Sequence, residues 1–239
     1  MSTHLDVLDN LLAVPEFVET ETRLRPQSAE PSTAEGFQRE QLRNLVRHVF
    51  FPGWPRPARQ VVLSTIDERA DTASTALDIG KAMAAEIPGN VAVIESCPGS
   101  IIQFRNSGGT PGQTGPDQQP FVFRGSSRQL WSNLWLVPCK TFVGEEEALS
   151  ASWLRGRLSE LRMEFDYVLI NAPPVNRSSE AALLGSLTDG VILTITANRT
   201  HRIAAHMSKT ILRQANARLL GTILCERIFP IPERLYRKL

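Results

Sequence analysis

Residues 165–196, FDYVLINAPPVNRSSEAALLGSLTDGVILTIT, decide the fold. Two runs rich in Val, Ile and Leu, YVLIN (167–171) and GVILTIT (190–196), flank a stretch at 178–186 that reads as a helix. Short apolar runs without polar alternation are strands buried on both faces, as in a parallel sheet covered by helices. The alternation continues outward. Strands are predicted at VVLST (61–65), VAVIE (91–95), LWLVP (134–138) and GTILC (221–225), with helices at 72–85, 148–163 and 200–216. The expected class is therefore α/β: a mostly parallel central sheet flanked by helices on both faces.

Apolar residues make up 42% of the 239, and 15 glycines bring the total near the roughly 45–50% typical of globular proteins, enough for a sizeable core. A net charge of +1 argues against a strongly basic nucleic-acid binder, and no nucleic-acid partner is expected. No stretch approaches the roughly 18 consecutive apolar residues of a membrane span, and no basic, apolar leader is visible. Cys97, Cys139 and Cys225 are odd in number, far apart and outside any CxxC spacing, so reduced thiols are expected. A cytoplasmic setting follows.

Charge is unevenly spread. Residues 1–40 hold eight acids and three bases, a net of −5, whereas residues 200–239 hold eight bases and two acids, a net of +6. Residues 1–34 read as an acidic, flexible segment, rich in Pro, Ser and Glu toward its end, and residues 35–239 as a single domain. A helix over 34–50, with Phe37, Leu42, Leu45, Val46 and Val49 near one stripe, is broken by FPGWPRP. In the helix at 200–216, Ile203, Met207, Ile211 and Ala215 recur every four residues and are expected in the core. NSGGTPGQTGPDQQP (106–120) is a long loop, either functional or disordered.

Ligands of parallel α/β folds sit at the carboxyl ends of the strands. Five segments there share one pattern: VVLSTIDERADTASTALDIGKAMA (61–84), VAVIESCPG (91–99), FDYVLINAPPV (165–175), TDGVILTITANRT (188–200) and LLGTILCERIFPIPERLYRKL (219–239). In order and spacing, the chain from about residue 35 onward resembles the bacterial tyrosine kinases of capsular and exopolysaccharide biosynthesis, the BY-kinases. These are P-loop NTPases of the deviant Walker A class, which also holds MinD and ParA. The resemblance implies that fold, with ATP or ADP and Mg²⁺ at the strand ends.

The scaffold is kept and the chemical residues are changed. The family's phosphate loop, GEGKS[TS], falls on Arg69, Ala70, Asp71, Thr72, Ala73 and Ser74, so both glycines, the lysine and the magnesium hydroxyl are replaced. Such a loop turns backbone N–H groups toward phosphate, sets a lysine on it and a hydroxyl on Mg²⁺. Removing one charge-assisted hydrogen bond to phosphate costs on the order of 1.5–3 kcal/mol. A carboxylate such as Asp71 about 4 Å from a phosphate adds roughly 4 kcal/mol of repulsion at an effective dielectric near 20. The second acidic motif, DxD, is Glu95, Ser96 and Cys97, and the Walker B aspartate is Asn171, which keeps the shape and loses the charge. The family's ExxRxxR assembly helix appears as Glu40, Arg43 and Val46, with Arg47 one place late, and its C-terminal tyrosine cluster as Tyr236 alone.

Each position also has a bland reading. Asp67, Glu68, Asp71 and Asp78 suit a helix N-terminus better than a metal cluster. Cys97 lacks a nearby histidine motif and reads as a structural thiol. Thr72 and Ser74 read as helix-start residues, and Glu95 as a carboxylate held by a neighbouring loop.

The expected function is a non-catalytic, pseudokinase-like scaffold or regulator of capsule or exopolysaccharide synthesis, without a cofactor. Its implied partner is a membrane-anchored chain-length regulator or an intact tyrosine kinase, which would place it peripherally at the inner face of the membrane. The resemblance also implies a homo-oligomer, although Val46 and the displaced Arg47 depart from the pattern through which the family assembles. The rival is a weak ATP-binding autokinase or ATPase with a rebuilt site. A partition-type protein of the same superfamily is the further alternative.

Overall fold

The computed structural model describes residues 34–51, 57–67, 70, 72–95, 123–143 and 151–225. The N-terminal segment, the 106–120 loop and residues 226–239 lie outside these, as do Arg69, Asp71, Cys97 and Tyr236. In chain order the elements are α1 (Ala34–Phe50), β1 (Gln60–Thr65), α2 (Thr72–Glu86), β2 (Val91–Ile94), a 3₁₀ turn (Arg124–Ser126), β3 (Arg128–Trp131) and β4 (Leu134–Val137). There follow α3 (Cys139–Val143), α4 (Ala151–Glu164), β5 (Tyr167–Asn171), α5 (Glu180–Leu187), β6 (Gly190–Thr196), α6 (Arg202–Gln214) and β7 (Leu219–Cys225).

The seven strands form one sheet in the order β3-β4-β2-β5-β1-β6-β7. Every pairing is parallel except β3 with β4, so the predicted mostly parallel sheet is present with an antiparallel edge. Alternate side chains of each strand enter opposite layers. Val61, Leu63, Val93, Leu169 and Ile192 face α1 and α2, against Val46, Phe50, Ile79 and Met83. Val62, Ile94, Ile170 and Leu193 face the other way, toward Leu154, Leu158, Leu184 and Leu212 of α4, α5 and α6. At about 1.5–3 kcal/mol for each large apolar side chain buried, these two layers are the main source of stability.

Close approach of helix to sheet depends on two glycines. A Cβ on Gly80 would stand 2.4 Å from Val93 Cγ2, and one on Gly185 2.3 Å from Val191 Cγ2. The helix α1 is fastened to α2 through Glu86, whose carboxylate accepts from Arg43 Nε at 3.1 Å and from an Arg47 guanidinium nitrogen at 3.2 Å. Val46, between them, is fully buried.

Three elements were not expected from sequence: the 3₁₀ turn, β3 and α3. Arg157, only 7% exposed, ties α3 to Phe123 at the start of the 3₁₀ turn. Its guanidinium donates to the carbonyls of Thr141 at 2.6 Å and Phe142 at 3.2 Å, pairs with Glu160 at 2.6 Å and lies 4.2 Å from the Phe123 ring centroid. Burial pushes the Arg157 pKa down from its ordinary value, while Glu160 draws it the other way.

Two expectations are corrected. Cys139 is disulfide-bonded and so is not the reduced thiol that its distance from the other cysteines suggested. In α6 the period-four stripe divides: Ile203 is 75% and Met207 57% exposed, whereas Ile211 and Ala215 pack against the core as expected. The face turned inward carries Ser208 and Leu212, with Ala204, Ala205, Ile211 and Ala215 packed beside them. Small side chains let the helix lie close to the sheet, and the buried Ser208 hydroxyl is satisfied by Asn176 Oδ1 at 2.8 Å. Among the described residues no helix is long and apolar enough to cross a membrane.

Candidate functional site

The carboxyl edge of the sheet brings several of the predicted positions together. Ile94 pairs with Ile170 and Leu63 with Asn171, so Glu95, Asn171 and the residues after Leu63 emerge side by side from β2, β5 and β1. Thr72 opens α2 above β1, with Ala73 and Ser74 exposed in its first turn. The reading of Thr72 and Ser74 as helix-start residues is what the structure has. Arg69, Asp71 and Cys97 belong to the same motifs but fall outside the described residues.

Asn171 closes β5 with only 4% of its surface exposed, and its Oδ1 has no hydrogen-bond partner. Thr196 Oγ1, buried at the end of β6, is also unpartnered. Glu95 is solvent-exposed, and its backbone N–H donates to the Val137 carbonyl at 3.0 Å. None of Thr72, Ala73 and Ser74 brings a positive charge to the helix start.

The loops around this edge are stitched to one another. Ser64 Oγ donates to the Pro173 carbonyl at 2.7 Å, and the Val175 N–H to the Thr65 carbonyl at 3.1 Å. Asp67 does not cap α2, as its place before the helix had suggested. Its carboxylate accepts from the Thr200 hydroxyl, while Thr200 Oγ1 accepts the Thr196 N–H at 2.9 Å. Asp78 likewise takes another partner, Lys81, at 3.0 Å. Asn176 Nδ2 donates to the Ile66 carbonyl at 3.4 Å and Asn176 Oδ1 accepts from Ser208, which joins the β1, β5 and α6 ends.

Sequence reasoning missed Thr200, Asn176 and Ser208, since no motif gives any of them a role and their bonds exist only once the loops after β1, β5 and β6 meet each other and α6. It also passed over Arg177 and Arg199, which stand on the loops after β5 and β6 at this same edge. Both take part in contacts of their own. Among the described residues, no group of three His, Cys, Asp or Glu side chains is arranged to hold a metal ion.

The strand order, the helices on both faces and the loops converging at the carboxyl edge define a P-loop NTPase-like α/β fold. A ParA family ATPase from Chlorobium tepidum shares it with a TM-score of 0.51 at 14% identity, over 70% of this chain and 73% of that one. The kinase domain of VpsO does so at 0.55 and 19% identity, over 82% of this chain and 98% of the domain. In sequence the chain is 31% identical over 78 residues to the tyrosine-protein kinase YwqD of Bacillus subtilis, 33% of each protein. The matched chain thus spans about a third of the length of the curated relatives. No family model matches. The resemblance to bacterial tyrosine kinases is present in sequence, and the fold of their kinase domains in structure.

Proposed function

We propose that this protein is a non-catalytic, pseudokinase-like scaffold or regulator in capsule or exopolysaccharide synthesis, with the nucleotide site of its kinase relatives lost. The observation that carries this reading is Asn171. A carboxylate at that depth requires a cation beside it, because an unpaired buried charge is costly. An amide requires none, and its one unpartnered oxygen costs on the order of 1–3 kcal/mol. Mg²⁺ is held through carboxylates, waters and phosphate oxygens, so a neutral residue here, with Thr72 in the place of the phosphate lysine, does not fit a magnesium nucleotide.

What remains is a folded surface whose use is to bind protein. The partner proposed is a membrane-anchored chain-length regulator or an intact tyrosine kinase, which would hold the chain at the inner face of the membrane. Calorimetric titration with ATP and ADP, with and without Mg²⁺, tests this. Absence of saturable heat from folded protein is expected.

One observation favours a second reading, a weak ATP-binding autokinase or ATPase. Arg177 and Arg199 at the carboxyl edge are cations that a rebuilt phosphate site would use. Saturable heat that changes with Mg²⁺ and disappears in Arg177→Ala or Arg199→Ala would establish it, and phosphate on Tyr236 after incubation with Mg-ATP would make it a kinase.

A further inference from the structure

Ile203 and Met207, one turn apart on α6, line an open groove of about 460 Å³ together with Arg202, His206, Thr210 and Ile211. They are large apolar side chains facing solvent on a helix that buries mainly small ones. Asp67 on Thr200 apart, the stretch of chain that carries this face has one sign of charge. From Gly190 to Cys225 the chain contains no Asp or Glu, while Arg199, Arg202, Lys209, Arg213 and Arg218 lie on or beside α6. A cover for this face needs apolar side chains and carboxylates together.

One segment of the chain has that composition. Residues 1–22, MSTHLDVLDNLLAVPEFVETET, contain Asp6, Asp9, Glu16, Glu19 and Glu21 and neither Lys nor Arg. Leu5, Leu8 and Leu12 are spaced as one face of a helix, with Asp9 at the edge of that face and Asp6 beyond it, and Pro15 bounds the pattern. The C-terminal residues 226–239 also carry apolar side chains, but with Arg227, Arg234, Arg237 and Lys238 against two glutamates they would meet like charge. A second copy of α6 would meet it too. Charge therefore selects the N-terminal segment.

We propose that residues 5–14 dock on α6 of the same chain, Leu5, Leu8 and Leu12 covering Ile203 and Met207 and the flanking carboxylates facing the basic rim. The reach is sufficient. The 19 residues from Pro15 to Thr33 can extend to about 60 Å, against roughly 40 Å across a compact domain of this size.

The test is methyl NMR of the full chain labelled at methionine. Met163 on α4, 89% exposed, is the reference for an open side chain. In the native protein the Met207 methyl resonance is expected away from the Met163 position, independent of protein concentration and drawn back toward it by salt. In Leu5→Ser/Leu8→Ser/Leu12→Ser it is expected to move to the open position, and in Asp6→Lys/Asp9→Lys to move part of the way, with Met83 in the core unchanged as the sign of an intact fold. A native Met207 already at the open position overturns the proposal. So does a displaced one that neither variant moves, which would mean another cover, or one displaced only as concentration rises, which would mean a second copy.

Discussion

The Thr200 hydroxyl donates to the carboxylate of Asp67, and this bond joins the loop that follows β1 to the loop that follows β6. The two residues are 133 apart in sequence. Thr200→Val keeps the shape and removes both the donor and the acceptor of the Thr196 N–H. A hydrogen bond to a charged group contributes about 1.5–3 kcal/mol, so urea unfolding should show a loss of that order, with Thr200→Ser recovering most of it.

At the end of β5, Asn171→Asp restores the charge that the kinase relatives carry. Without a cation to meet it, a carboxylate at 4% exposure should lower stability by about 2–4 kcal/mol at neutral pH. Protonation relieves the penalty, so the deficit relative to the native protein should shrink as pH falls through the raised pKa of the introduced group. Restoration of stability by Mg²⁺ at neutral pH would instead reveal a metal site.

Burial also decides what becomes of the assembly-helix pattern. Val46→Arg completes the ExxRxxR spacing, yet Val46 is fully buried against the α2 layer. Thermal unfolding should register a loss of about 3 kcal/mol or more, the cost of an unpaired buried charge. Glu86→Gln, by contrast, should cost at most about 1 kcal/mol, because Arg43 and Arg47 are half-exposed and their ion pairs screened.

Glycines in two neighbouring helices should respond with opposite signs. Gly156 in α4 has open space where an alanine methyl would stand, and Gly156→Ala should raise stability by about 0.5–1 kcal/mol through helix propensity. Gly185→Ala in α5 drives a methyl into Val191 and Ala217 and should cost about 1–3 kcal/mol. Chemical denaturation of the pair separates backbone entropy from packing.

Most of the sheet was legible because β1, β2, β5 and β6 are buried on both faces and read as unbroken apolar runs. Edge β3 gave no such run: Arg128, Gln129 and Trp131 are exposed, and a two-residue turn at Ser132 and Asn133 was the signal available. The α6 stripe misled for a related reason. A row of every fourth residue drifts around a 3.6-residue helix, and hydropathy gives no weight to a buried serine whose hydroxyl is satisfied by Asn176. The carboxyl-edge positions of Thr72, Glu95 and Asn171 followed from motif spacing. The bonds among Asp67, Thr200, Asn176 and Ser208 depend on three loops meeting and leave no trace in spacing.

The place of β1 between β5 and β6 bears on how the protein is made. This strand can complete neither of its lateral ladders until residues 167–171 have left the ribosome, and the second only once residues 190–196 have followed. Until then the apolar edges of Val61, Val62 and Leu63 are unpaired in a nascent chain, the condition under which chaperones are recruited. Because those ladders join residues more than a hundred apart, folding after release should be slow for a domain of this size, in the millisecond-to-second range or longer.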